Sequence, residues 1–221
     1  MVARVVGVLF LAGMIIGVVG NTLIQSILGA PDYLSTVSAN SMKIAIGAML
    51  LLMTVAGDAA HGILMFPILK QHNEYLAFGY FGFRIVDAVF LGIQVLFVLL
   101  QIPLGSQYLK AGVNDTLHLQ ALSTTFIQTN LYAYHIAMLT LGIAGLMLCY
   151  SFYKTKLLPR LLSVWGLVGY ATILSGSMLE ILGFDLHSID TIPGGLWEVF
   201  IGVWLIAKGF NSSPITSTSA N

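Results

Sequence analysis

Six long apolar runs constrain this chain more than any motif in it. A helix crossing a bilayer needs about 20 mostly apolar residues, and the stretches 3–28, 42–69, 75–102, 129–153, 158–182 and 192–209 all meet that length. Hydrocarbon offers no water to satisfy backbone N–H and C=O groups, so such runs must be helical. The fold expected is therefore all-α: an integral membrane bundle of six transmembrane helices. It forms one domain over 1–210, followed by a Ser/Thr-rich tail, 211–221, expected to be disordered. Composition agrees, with 57% hydrophobic and 8% charged residues where soluble domains carry roughly 25% charged.

Several function classes drop out at once. Formal net charge is zero and the basic residues are scattered, so no nucleic-acid partner is indicated. Cys149 is the only cysteine, which excludes intrachain disulfides, cysteine zinc knuckles and CxxC redox chemistry. The run that follows Arg4 lacks a small-residue cleavage site, so it is expected to stay as the first span rather than act as a signal peptide.

Lys and Arg placement sets the expected orientation. Arg4, Lys70, Lys154, Lys156, Arg160 and Lys208 fall on one side of a six-span chain, and only Lys43 and Lys110 on the other. By the positive-inside rule both termini face the cytoplasm of a cell (inner, cytoplasmic) membrane. The short connection 70–74 makes the second and third helices antiparallel neighbours. The longest external connection, 103–128, has Leu117, Ala121, Leu122 and Phe126 at near-helical spacing, so a short helix lying on the outer surface is expected there. The last external loop, 184–191, is acidic and holds His187. No internal repeat supports an inverted-repeat transporter. Gly13 and Gly17, Gly142 and Gly145, and Gly166 and Gly169 read as close helix-packing steps. Trp165, Trp197, Tyr75 and Tyr153 read as interfacial anchors.

The polar residues inside these runs carry the functional question, because a charge in hydrocarbon costs at least a few kcal/mol. Arg84 and Asp87 stand three residues apart on one helix face, as do Asp58 and His61. At 1.5 Å per residue, these four and Glu198 fall in one layer roughly 12–18 Å from the inner boundary. Tyr80, Arg84, Asp87, Gln94 and Gln101 form one polar stripe from that layer outward, either a buried seam or the wall of an externally open cavity. His135 and Glu180 form a second, outer pair. His135 lies roughly 15 Å from the depth of His61, so a metal site or a haem using both histidines is disfavoured, and no metal or cofactor is expected. Asp58, Asp87 and Glu198 face one arginine, and like charges in low dielectric cannot all stay ionised. Either a carboxyl there holds a proton or a cation binds. A purely structural bridge from Arg84 to Asp87 and Glu198 is the alternative.

Three segments carry a resemblance. They are Phe66-Pro67-Ile-Leu-Lys70 through Gly79-Tyr80-Phe81-Gly82-Phe83-Arg84-Ile-Val-Asp87; Leu157-Leu158-Pro159-Arg160 with Trp165-Gly166-Leu167-Val168-Gly169; and Leu196-Trp197-Glu198 with Gly202 and the 203–210 segment. Together they are similar to a family of bacterial multi-pass proteins, domain-of-unknown-function family 4386. The resemblance spans nearly the whole chain. The family pattern usually has Glu where this chain has Asp87. It implies the six-span topology and the Arg84/Asp87/Glu198 core, and it implies no activity.

Three functions follow. The first is a small-molecule or proton-linked binding or transport protein, with Arg84 as an anion anchor and Asp87 and Glu198 as titrating partners; Asp58, His61, Tyr80 and Gln94 complete the candidate site. The second is an intramembrane enzyme, a metal-dependent or acid/base hydrolase using Asp58 and His61. The third is a non-catalytic membrane scaffold. The first is favoured, and an enzyme is not the leading expectation. Partners expected are the lipid bilayer and a small-molecule or cation ligand; no sequence feature sets an oligomeric state. Every lysine lies at a helix end or in a loop, so a mid-membrane Schiff base is absent. No P-loop, dinucleotide fingerprint or G-x-S-x-G elbow appears.

Overall fold

A computed structural model describes residues 2–186 and 189–211 of the chain, so His187 and the tail beyond Asn211 lie outside the described residues. Eight α-helices follow in order: α1 (Val2–Leu28), α2 (Tyr33–Val37), α3 (Ser41–Lys70), α4 (Glu74–Leu99), α5 (Gln101–Tyr108), α6 (Val113–Thr155), α7 (Arg160–Ile181) and α8 (Ile192–Ala207), the last preceded by a 3-10 turn, Ile189–Thr191. The described residues contain no strand. Six helical segments are long and apolar enough to cross a membrane, which makes this a multi-pass membrane protein.

The six spans form a closed ring. α1 packs on α3, α3 on α4, α4 on α6, α6 on α7 and α7 on α8, and α8 returns to α1. Alternating direction puts both termini on one face, called here the terminal face, and the opposite one the distal face. Short, well-capped turns enforce this order. Between α3 and α4 the Asn73 side chain accepts the Leu76 N–H at 3.0 Å, and the Lys70 ammonium sits 3.0 Å from Glu74. Between α6 and α7, Lys156 adopts a left-handed φ of 57° that ends α6, and Pro159 starts α7. Asn211 closes this corner: its N–H donates to Leu157 O at 2.9 Å, and its amide donates to Lys156 O at 3.0 Å.

The terminal half of the ring is filled. Trp197, Tyr80, Tyr170, Phe152, Met65, Leu148, Leu158 and Leu205 are all at most 2% exposed and belong to one core. Small residues draw the helices together there. A Cβ on Gly166 would strike Cys149 and the Trp197 ring, and one on Gly145 would strike the Tyr170 ring. A smaller cluster, Ile24, Ile27, Val37, Ile44 and Val98, closes α1, α3 and α4 near the distal face.

Three expectations are corrected. The 103–128 segment is not a surface helix between spans: α4 runs almost straight into α5, and α6 is one helix of 43 residues. At 1.5 Å per residue α6 is about 64 Å long, against about 30 Å of hydrocarbon, and its first third packs beside α5, with Ser123 buried against Tyr33 and Gln101. The near-helical spacing of Leu117, Ala121, Leu122 and Phe126 was a helical signal, but no proline interrupts 113–155 and the first glycine is Gly142, so nothing separates that helix from the span after it. Trp197 is not an interfacial anchor, because it is fully buried and donates its indole N–H to Leu162 O at 2.7 Å. Gly13 and Gly17 do not form a close packing step: a Cβ on Gly13 would meet nothing within 4 Å, and one on Gly17 only Thr54 at 3.5 Å.

Candidate functional site

The ring's polar residues meet just distal to the filled core. Asp58 and His61 stand on one face of α3, and Gly62 beside them lets α4 approach until a Cβ there would be 3.0 Å from the Arg84 Cβ. Arg84 is buried and doubly engaged. One terminal nitrogen is ion-paired with Asp58 across the α3–α4 contact, and the other lies 3.1 Å from Asp87 one turn along α4. The i, i+3 spacing read in the sequence is what brings Arg84 and Asp87 together. Asp87 is completely buried, whereas the Asp58 side chain keeps 30% of its surface open. Charges removed from water in this way hold only while paired.

His61 is the second anchor of the layer. Its Nδ1 is 2.5 Å from the Tyr80 hydroxyl, and the Phe10 ring meets the imidazole edge-on at 4.4 Å. Its Nε2 is buried with no hydrogen-bond partner among the described residues. Glu198, on α8, makes no ion pair with Arg84; it accepts a hydrogen bond from Tyr170 of α7 at 2.8 Å. The bridge from Arg84 to Glu198 considered from sequence is therefore not formed. Arg84 presents no free terminal nitrogen, and it meets Asp58 where the sequence reading gave it an anion to hold.

Asp58, His61, Arg84 and Glu198 line one cavity of about 560 Å³ together with Phe10 and Gly13. A second compartment of about 390 Å³ continues distally, where Asn21, Gln25, Gln94 and Asn130 supply amides. The two share Gly17, Val18, Thr54 and Tyr134 as wall residues, so they adjoin as a column of two compartments. Within the expected stripe, Tyr80 and Asp87 lie behind the cavity in the core and Gln94 lines it. Gln101 is tied to α6, accepting from the Ser123 hydroxyl at 2.5 Å and donating to Ser123 O at 3.3 Å. His135 and Glu180 stand 4.0 Å apart on α6 and α7, outside this column. Glu180 also accepts the Leu186 N–H at 2.7 Å, which fixes the chain after α7.

Sequence reading missed Tyr170, Tyr134, Thr54, Asn21, Gln25 and Asn130. Asn21 and Gln25 are i, i+4 on α1, and Thr54 lies one turn from Asp58, so their helical register was a usable signal. The tyrosines gave none, because an aromatic in an apolar run reads as core. Among the described residues, no three His, Cys, Asp or Glu side chains converge closely enough to hold a metal ion. The arrangement can hold a polar or charged group in a pocket of ordinary ligand size, within the roughly 300–1,000 Å³ of small-molecule sites.

A comparison with curated proteins and with solved structures finds no match for the chain. A family model does match, over residues 5–209, nearly the whole chain, and its description is domain of unknown function (DUF4386). The chain belongs to that family of multi-pass membrane proteins, and the six apolar helices agree with it.

Proposed function

We propose that this protein binds a small molecule in its central cavity and moves it across the membrane, with proton exchange in the polar layer around Arg84. The single observation that carries the reading is the pair of adjoining cavities, one at the Arg84 network and the other, beyond it, lined by amides. A scaffold needs no such space, and close packing would have filled it. An ionisable cluster facing a cavity within the membrane is the usual mark of a substrate or proton path. The basic residues Arg4, Lys70, Lys154, Lys156, Arg160 and Lys208 all lie at the terminal face, which supports that face being cytoplasmic in a cell membrane. Residues 1–210 act as one domain in this reading.

Side-specific cysteine labelling in proteoliposomes tests it, with little background because Cys149 is buried. Thr54→Cys and Met138→Cys both place a thiol on the cavity wall. Reaction with a membrane-impermeant methanethiosulfonate from the distal face is expected. Reaction from the terminal face as well, in a second population, marks alternating access and hence transport. Labelling from the distal face only reduces the proposal to a receptor or binding protein. Absence of labelling from either side favours the scaffold.

A further inference from the structure

The helix pair α1 and α8 is tightly closed at one end and open at the other. Gly7, Leu11, Met14, Val18 and Gln25 lie along one face of α1, at helical spacing. At the terminal end that face presses on α8. A Cβ on Gly7 would be 2.6 Å from Gly202 O, and a Cβ on Gly202 would be 2.8 Å from Leu11. One turn further the contact thins. The nearest atom to a Cβ on Gly195 is the flexible methyl end of Met14 at 3.7 Å. Beyond that the face is uncovered: Met14 is 37% exposed and Val18 60%. No residue of α1 from 8 to 19 is buried, although Gly20, Ile24 and Ile27 are buried against α3 further along.

Across the gap, Ile192 and Leu196 of α8 are 53% and 57% exposed, and both also line the larger cavity, as do Met14 and Val18. Side chains that belong to the cavity wall and to the outer surface at once mark an opening through the wall. It lies between two helices that are each long and apolar enough to cross a membrane.

What lies behind the opening is graded. Leu9, Phe10, Met138 and Leu141 make the wall apolar, and the charges stand at its inner end. Asp58, Asp87 and Glu198 outnumber the single guanidinium, both of whose terminal nitrogens are already engaged. An anion entering here finds a surplus of carboxylates, and the one guanidinium nitrogen without a hydrogen bond, Arg84 Nε, is buried. A cation finds Asp58 and Glu198 on the wall and, beside them, the unpartnered Nε2 of His61, a side chain only 4% exposed.

We propose that the gap between α1 and α8 is a lateral doorway from the bilayer, and that the ligand is a lipophilic organic cation whose charged centre sits between Asp58 and Glu198 while its apolar body lies against α1 and α8. This rests on the ligand-binding reading above and adds to it the route and the charge of the ligand. Met14 is the movable edge of the doorway.

The test uses the full chain in lipid nanodiscs with tritiated tetraphenylphosphonium as probe, and empty nanodiscs as the background. Tetraphenylborate has nearly the same shape with the opposite charge. Saturable tetraphenylphosphonium binding is expected, with no displacement by tetraphenylborate. Glu198→Gln keeps the oxygen that accepts from Tyr170, and is expected to weaken binding roughly tenfold by removing one of the facing charges. Gly13→Phe fills the cavity from a position with open space beside it, so binding should vanish while the melting temperature holds. Met14→Trp narrows the doorway and should slow association. Where Gly13→Phe fails to fold, the loss of affinity in Glu198→Gln and the slowed association in Met14→Trp still decide the matter.

Displacement by tetraphenylborate as effective as by unlabelled tetraphenylphosphonium overturns the cation assignment. Unchanged association in Met14→Trp overturns the doorway. Absent tetraphenylphosphonium binding, alongside successful Thr54→Cys labelling, leaves the cavity reading intact and sinks only this one. Absence of both results sinks both readings.

Discussion

The two halves of the ring are built from the same materials and use them in opposite ways. In the terminal half, the glycines of the core are places where another helix's side chain already stands: Gly166 against Trp197, Gly145 against Tyr170. Aromatic side chains fill the centre of its core. In the distal half Gly20 and Gly47 still bring α1 and α3 together, but Gly13 and Gly17, which line the cavity, touch almost nothing, and the space they leave belongs to it. A small residue therefore has two meanings in such a bundle. It lets a neighbour approach, or it keeps a passage clear. Which one holds depends on what the facing helix supplies.

The Arg84 network lies on the border between these halves, and breaking it should have the largest effect. Arg84→Ala leaves Asp87 completely buried without its cation and Asp58 without its partner. Removing one member of a buried ion pair typically costs about 3–5 kcal/mol, so the unfolding midpoint in a fixed detergent should fall sharply. Asp87→Asn together with Arg84→Met should recover much of that loss, since neither buried charge then remains. A small loss in the single variant would mean that water reaches Asp87 and that the border is wetter than its zero exposure indicates.

A second variant tests the filled half directly. Gly166→Leu has to displace Cys149 or the Trp197 ring, both held by the surrounding core. Overpacking of this kind costs about 1–3 kcal/mol, again read from the unfolding midpoint. The same change at Gly13 meets open space and should not destabilise the protein. Equal damage at both positions would erase the contrast between the halves.

The six spans were legible in the sequence, and the hollow between them was not. Run length was enough for six spans, the short 70–74 connection for the α3–α4 hairpin and Pro159 for the α6–α7 corner, because those signals are local. Depth counting placed Asp58, His61, Arg84, Asp87 and Glu198 in one layer, since helical rise is fixed. Pairing within that layer was not legible. Whether Glu198 turns to Arg84 or to Tyr170 depends on how α7 and α8 pack, which no spacing within one helix encodes. The length of α6 was misread for a related reason: the segment before residue 129 is polar enough to look like a loop, but polarity of a helix face says only that it is solvated, not that the helix has ended.

The smallest expected effect is the most telling for the hollow half. Gly13→Ala adds one methyl group in the middle of α1, where nothing lies within 4 Å of it. Alanine loses less backbone freedom than glycine on entering a helix, worth roughly 0.5–1 kcal/mol. If only packing mattered at this position, selection for stability would favour alanine, and the variant should indeed melt slightly higher. A glycine that makes the helix less stable, and yet closes no contact, is there for the space it leaves. The same variant should therefore slow methanethiosulfonate labelling of Thr54→Cys across the cavity while raising the melting temperature, whereas Gly166→Ala, which meets Cys149 and Trp197, should lower it. A higher melting temperature with unchanged labelling would show that the cavity is wide enough to spare a methyl group, and would shift the narrow point of the passage from Gly13 to Met14.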